Sequence, residues 1–499
     1  MNFADMLDKN AHCFPDRPAI IEGDITISFS QLHQDVNKAA SAMVKLGLQL
    51  DDHVALCAPN AYAWVVIYYA AIKAGAVAVT FSYLLKKGEL TKILADCRPK
   101  ILFTSDDKLS DMGDQRDESH LSIVVCNNGD ISFPSLLEKG DRQFPTVNRH
   151  RDDTAAILYT GGTTGTPKGA MLSHQNLKSS IFNIAHYERC TMDDRALCFL
   201  PLNHVFGQVH IMNSTIYSCG ATILQPAFDM DQVLNALTKY KITKFYAVPT
   251  IYIRLLGLPD LKETFKSIRY CFSAAASMAL EVVQAWKEKT GLDIYESYGM
   301  TESAAMVTYN HFYRHKVGSV GTVVNIVEVE IRDDGGNALP QGEKGEICVC
   351  GPNITKGYLN HPEETRDAFW GDWYRTGDIG IFDEEGYLFI VDRLKDMIIT
   401  GGENVYSREV EEVLYTHPKV FECAVVGLPD AEYGERVTAY IIPQPGQHID
   451  SVVLKAYMKE RLASYKVPKA FIEVDELPKS SAGKLVKREI RNTYTAPKP

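Results

Sequence analysis

The sequence has no C-x-x-C pair, no long apolar run and no excess of basic residues. Each absence removes a class of function. Eleven cysteines lie scattered from Cys13 to Cys423 without metal-knuckle spacing, a pattern suited to a reducing compartment. Cys348 and Cys350 flank Val349 and read as one face of a strand. The most apolar stretch, Ala61–Ile72, holds twelve residues before Lys73 interrupts it. That is too short to span a bilayer and predicts a buried helix. The segment Met1–Pro15 carries Asp5, Asp8 and Lys9 and no apolar core, so no signal peptide is expected. The closing Ala-Pro-Lys-Pro is neither a lipidation box nor a peroxisomal address. A cytoplasmic location is expected. The net charge of −11 argues against a nucleic-acid partner, which would call for a basic face. Internal repeats and low-complexity tracts are also missing.

What is present is ordinary globular material in quantity. With 499 residues, 45% of them hydrophobic, the chain can build two to four compact units. Short apolar runs recur at Val54–Ala58, Ala76–Thr80, Lys100–Thr104, Leu121–Val125, Ala155–Tyr159, Ala196–Leu200, Ala221–Leu224 and Lys244–Val248. Most are followed by polar, helix-compatible residues, which predicts an α/β fold with largely parallel sheets. From Gly318 to Val391 the texture changes to β-like segments separated by turns such as Asp334-Gly335-Gly336. After Asp392 a helix (Ser407–Tyr415), strands (Ala424–Gly427, Ala439–Ile442) and another helix (Ile449–Leu462) predict a small α+β domain. The expected fold is a large N-terminal domain of stacked α/β sheets with a β-rich subdomain, and a small, mobile C-terminal domain. The expected boundaries are 1–392, a hinge at 393–396, and 397–499.

The stretch Tyr159–His174 reads YTGGTTGTPKGAMLSH and directly follows a strand candidate. Its glycines let backbone N–H groups approach a ligand, its threonine hydroxyls add donors, and Lys168 adds positive charge. These are the needs of a polyphosphate. The spacing is neither G-x-x-x-x-G-K-[ST] nor G-x-G-x-x-G, which disfavours a P-loop and a dinucleotide fold.

This loop resembles the signature of the adenylate-forming enzymes: acyl- and aryl-CoA synthetases, luciferases and peptide-synthetase adenylation domains. Gly162 stands where that family usually has serine. Further motifs follow in the family's order from about Phe3 to Arg488. The resemblance implies that Thr160, Gly161, Gly162, Thr163, Thr164, Gly165, Thr166 and Lys168 hold phosphate. In Tyr298-Gly-Met-Thr-Glu302 it implies that Tyr298 stacks on adenine, Thr301 contacts the α-phosphate and Glu302 helps to hold Mg²⁺; Glu296 joins the nucleotide-binding set. In Tyr374-Arg-Thr-Gly-Asp378 it gives Asp378 the ribose hydroxyls. In Asp392-Arg-Leu-Lys-Asp396 it gives Arg393 a nucleotide contact and makes Lys395 the hinge, with Gly401 and Gly402 lining the path of the pantetheine arm. In Pro478-Lys-Ser-Ser-Ala-Gly-Lys484, Lys484 is the catalytic lysine that bridges substrate carboxylate and α-phosphate. His204, in Pro201–Gly207, closes the acid site.

The implied activity is ligation of a carboxylic acid to CoA, through an acyl-AMP formed from ATP with Mg²⁺ and with release of pyrophosphate. Thr250 and Ser273–Ser277 are expected to line the acyl site together with Pro201–Gly207. No Asp or Glu occurs from Pro201 to Phe228, which disfavours an α-amino acid. The small Ala274, Ala275 and Ala276 favour a medium or long fatty acid, with an aromatic acid close behind. Two alternatives stand beside this reading: an enzyme that loads a carrier protein, and a degenerate nucleotide or lipid binder. The sequence is compatible with a homodimer.

Overall fold

Runs of Val, Ile, Leu and Ala without polar alternation form strands covered on both faces. His53–Cys57, Val77–Thr80 and Ile101–Thr104 are such runs, and they assemble side by side in one sheet. A computed structural model describes residues 1–112, 121–160, 167–276, 278–480 and 485–492. The first sheet has six strands in the order Ile123–Val125, Ile101–Thr104, His53–Cys57, Val77–Thr80, Thr154–Thr160 and Lys168–Ser173. All pair in parallel except the last two, which form an antiparallel hairpin. The second sheet runs Ile294–Glu296, Tyr270–Ser273, Lys244–Ala247, Arg195–Cys198, Ala221–Leu224, Pro18–Glu22 and Ile25–Ser28, parallel but for its final hairpin.

The helix Tyr62–Lys73 is buried from Trp64 onward, as its all-round hydrophobicity demands. Lys73, read in the sequence as the end of the apolar run, is itself buried and pairs with Asp8. No helix among the described residues is long and apolar enough to cross a membrane.

A five-stranded antiparallel sheet follows, in which Trp373–Phe382 pairs with Gly345–Cys350, Phe369–Trp370 and Leu388–Arg393. Cys348 and Cys350 lie on one of these strands, as expected. The helix His174–Tyr187 stitches this sheet to the first one. Its capping box, Ser173 with Asn176, satisfies the first-turn amides. Asn176 Nδ2 then donates to Ile354 O at 2.7 Å and Pro352 O at 2.8 Å.

The last sheet, around the hairpin Val420–Asp430 and Gly434–Pro443, has hydrophobic clusters of its own. Its leading helix, Ser407–Tyr415, takes no side-chain cap from Tyr406, the residue before it. Instead Asp392, on the strand Leu388–Arg393, accepts from Ser407 Oγ at 2.8 Å and Arg408 N at 3.4 Å. Arg408 Nη1 also donates to Ile390 O at 2.6 Å.

Candidate active site

The strand Ile294–Glu296 ends at the edge of the second sheet, and the chain turns at once into the 3-10 turn Thr301–Ser303. Gly299 permits that turn. A Cβ there would lie 1.7 Å from the Ala305 carbonyl oxygen, a contact no side chain can make. Ala304 and Ala305 have φ of 50° and 103°, left-handed values unusual for alanine. Gly299→Ala should therefore force the backbone apart and cost about 1–3 kcal/mol of stability, measurable by urea unfolding.

The turn delivers Tyr298 to the strand Trp373–Phe382. Its hydroxyl donates to Asp378 Oδ2 at 2.6 Å. Arg393 Nε lies 3.2 Å from Asp378 Oδ1, so both oxygens of one buried carboxylate are engaged. Asp378 and Arg393 are also register partners on adjacent strands. Burial and the Asp378 charge together push the Tyr298 hydroxyl well above its usual range. The Asp378 charge holds the Arg393 guanidinium still more firmly protonated.

Glu302 sits at the other end of the turn. Its Oε1 accepts from Tyr358 OH at 2.9 Å, and Tyr358 OH lies 3.1 Å from Tyr374 OH. Its Oε2 accepts no hydrogen bond among the described residues. The Lys168 ammonium stands 5.4 Å from the Tyr358 ring centroid and 4.0 Å from Glu364. Thr160 and Lys168 face each other in register, so the hairpin brings both ends of the phosphate loop together here. Lys168, Glu302, Tyr298, Asp378 and Arg393 thus converge, with Thr301 buried among them in sequence.

Six loop residues, Gly161, Gly162, Thr163, Thr164, Gly165 and Thr166, lie outside the described residues, as do Ser277 and Lys484. Lys479 and Leu485 pair as an isolated antiparallel bridge. Lys395 is exposed in the short turn Leu394–Asp396. Gly401 and Gly402, with φ of 61° and 84°, form the exposed turn of a hairpin in the last sheet, where Gly401 N donates to Tyr433 O at 2.8 Å.

Glu296 is buried beside this site. Its Oε1 accepts from Met278 N at 3.2 Å, while its Oε2 and the Oγ of its register partner Ser273 lack partners among the described residues. Burial pushes the Glu296 carboxyl up to about 7, against a weaker opposing pull from Arg408. The folded state therefore binds the proton more tightly than the unfolded chain. The resulting stability is complete below about pH 4.5 and is lost as pH rises through about 7. Glu296→Gln should stabilise the protein at pH 8, by up to about 3 kcal/mol, and have little effect at pH 4.5. Thermal melts at the two pH values check this.

His204 is half-buried and its Nδ1 accepts from Phe206 N at 3.2 Å. It leads into a π-helix, Phe206–Asn213, a rare conformation that concentrates at functional sites. Ala275 follows the strand Tyr270–Ser273 with φ of 77°. The sequence shows Ala274–Ala276 only as small residues. The strained backbone, the π-helix and the Tyr358–Tyr374 hydroxyl pair carry no sequence signal of their own.

The AMP-binding enzyme family matches residues 7–359, and the AMP-binding enzyme C-terminal domain matches residues 409–484. The chain belongs to the AMP-binding enzyme family. Within this family it is similar to a feruloyl-CoA synthase of Amycolatopsis sp, 34% identical over 97% of this chain and 98% of the relative. It is equally similar to a long-chain-fatty-acid–CoA ligase of Bacillus subtilis, 34% identical over 98% and 94%. ATP-bound MatB from Rhodopseudomonas palustris, 35% identical, superposes over 99% of both chains with a TM-score of 0.94, whereas apo MatB gives 0.83. As a family member of the acyl- and aryl-CoA ligase type, the protein is an AMP-forming acid–thiol ligase.

Proposed function

We propose that the protein activates a carboxylic acid with ATP and transfers the acyl group to CoA. The observation that carries this is the single carboxylate of Asp378, held from both sides by Tyr298 and Arg393 within a family that binds AMP. Asp378 accepts both ribose hydroxyls, a two-point contact only a carboxylate makes well. Tyr298 packs on the adenine, and Arg393 faces the nucleotide. Thr160, Lys168 and the loop between them hold the departing pyrophosphate. Thr301 contacts the α-phosphate.

No group of three or more His, Cys, Asp or Glu that could hold a metal occurs among the described residues. Glu302 nevertheless fits Mg²⁺, because its Oε2 is open and a hard cation completes its shell with phosphate oxygens and water. Bound there, Mg²⁺ would neutralise charge on the phosphates. The substrate carboxylate attacks the α-phosphorus, His204 closes the acid site, and Lys484 bridges carboxylate and phosphate as charge builds.

Residues 1–392 and 397–499 act as two domains joined at 393–396, with Lys395 absorbing the rotation. The better superposition on ATP-bound than on apo MatB supports an arrangement poised for the first half-reaction. The exposure of Gly401 and Gly402 is in keeping with it, since their role belongs to the second.

For the acid itself, a ring cluster favours the aromatic alternative over the medium or long fatty acid favoured by the sequence. Phe206, His210, Tyr246 and Phe272 are buried with centroid separations from 4.4 to 6.4 Å. Rings gathered just after His204 in the chain offer stacking partners to a flat aromatic acid. Pyrophosphate release over a panel of aromatic and fatty acids, with and without CoA, tests both levels. Release without acyl-CoA formation would replace CoA by a carrier protein as acceptor. No acid-dependent release at all would overturn the ligase reading.

A further inference from the structure

One tyrosine stands between Lys168 and Glu302, and the reaction above gives it no part. Tyr358 lies beside the edge strand Lys168–Ser173. Leu359 N donates to Gly169 O at 2.9 Å, Met171 N donates to Gly357 O at 3.0 Å, and Tyr358 bridges Ala170 between them. Gly357 is needed for this approach: it has φ of 125°, and a Cβ there would lie 2.2 Å from Thr365 Cγ2. Thr365 Oγ1 accepts from Tyr358 N at 2.9 Å. Backbone pairing thus fixes where the Tyr358 side chain starts.

The phenol reaches Glu302 and the ring reaches Lys168. Tyr358 OH donates to Glu302 Oε1 at 2.9 Å. Its one proton is used there, so in the 3.1 Å contact between the two hydroxyls Tyr374 donates and Tyr358 accepts. Tyr374 is buried, on the strand that carries Asp378. A chain of this kind polarises each bond in it and strengthens the one on the carboxylate. The main chain of the same segment holds Glu302 as well, with Thr355 N donating to Glu302 O at 2.7 Å. The Lys168 ammonium, 5.4 Å from the Tyr358 ring centroid, is within reach of a cation–π contact.

We propose that Tyr358 is a positioning residue, whose hydroxyl orders Glu302 for Mg²⁺ and whose ring steadies Lys168 for the phosphates. This rests on the reading of Glu302 as a cation ligand. A carboxylate with both oxygens free turns about its side-chain torsions, and ordering it opposes cation binding. Tyr358 makes that ordering part of the fold and leaves Oε2 open. Groups that hydrogen-bond a metal-ligating carboxylate change metal affinity by about 10–100-fold when removed. The two roles use different parts of one side chain, so mutation can separate them.

The test measures binding of α,β-methylene-ATP, whose α–β bridge resists cleavage, to the full chain by calorimetry in excess Mg²⁺ and in EDTA. The ratio of the two affinities is the metal's contribution. Tyr358→Phe should cut that ratio by about tenfold and leave the affinity in EDTA within about twofold of wild type. Tyr358→Leu, which also removes the ring, should weaken binding in EDTA as well, by a fewfold. Equal weakening in both conditions by Tyr358→Phe would mark a tyrosine that only supports the fold, and would overturn the proposal. So would a ratio that Tyr358→Phe keeps and Glu302→Gln loses. A ratio kept by Glu302→Gln would instead remove the cation reading of Glu302, and the proposal with it.

Discussion

Asp378→Ala should raise the KM for ATP by about 10²-fold or more while the protein stays folded. The carboxylate is the meeting point of Tyr298 and Arg393, at 2.6 and 3.2 Å. Removing it takes away the two-point ribose contact and also leaves a buried phenol without its acceptor. Each such loss costs about 1–3 kcal/mol, the first in nucleotide binding and the second in folding stability. Asp378→Asn should be milder, because an amide oxygen can still accept from Tyr298 but faces Arg393 without charge. Nucleotide titration by calorimetry, with KM measured alongside, separates a binding defect from a rate defect. A KM for ATP unchanged in Asp378→Ala would remove the ribose assignment.

The second large effect is expected at Lys484. Lys484→Ala should slow acid-dependent pyrophosphate release by about 10²–10³, the usual cost of losing a preorganised charge at a developing anion. The ends of its segment are anchored: Lys479 pairs with Glu422 at 2.8 Å, and Lys487 with Glu411 at 2.7 Å. The substitution should therefore leave the C-terminal domain intact. Acyl-adenylate supplied ready-made should still react with CoA at a rate within a fewfold of wild type, because the lysine acts in the first half-reaction only. Equal slowing of both halves would mean that Lys484 serves the fold or the domain motion instead.

Much of this was legible in the chain itself. The parallel strands announced themselves as unalternated apolar runs, and the helix Tyr62–Lys73 as a run too short for a membrane. The β-rich sheet showed in its turns. Among the proposed site residues, Tyr298, Glu302, Asp378 and Arg393 came from the resemblance, and their convergence is a matter of long-range pairing no local pattern encodes. Other features had no signal because they depend on what packs nearby. Ala275 and Ala305 look like ordinary small residues until their φ values are known. His210 looks like any helical histidine until Glu188, twenty-two positions earlier, is seen against it. Lys73 looked like an interruption because its partner Asp8 is far away in sequence.

The helix Ser407–Tyr415 borrows its N-terminal cap from Asp392, on the other side of the proposed pivot. Rotation at Leu394–Asp396 cannot then be a free swing. It must first strip that helix of its cap and release Arg408 from the Ile390 carbonyl. A cap is worth about 1 kcal/mol, enough to bias the two orientations several-fold. A joint of the proposed kind would act as a detent rather than a loose tether, with these contacts seating the small domain. On the proposed mechanism, the dwell between the two half-reactions is then set partly by Asp392, to which no substrate contact is assigned.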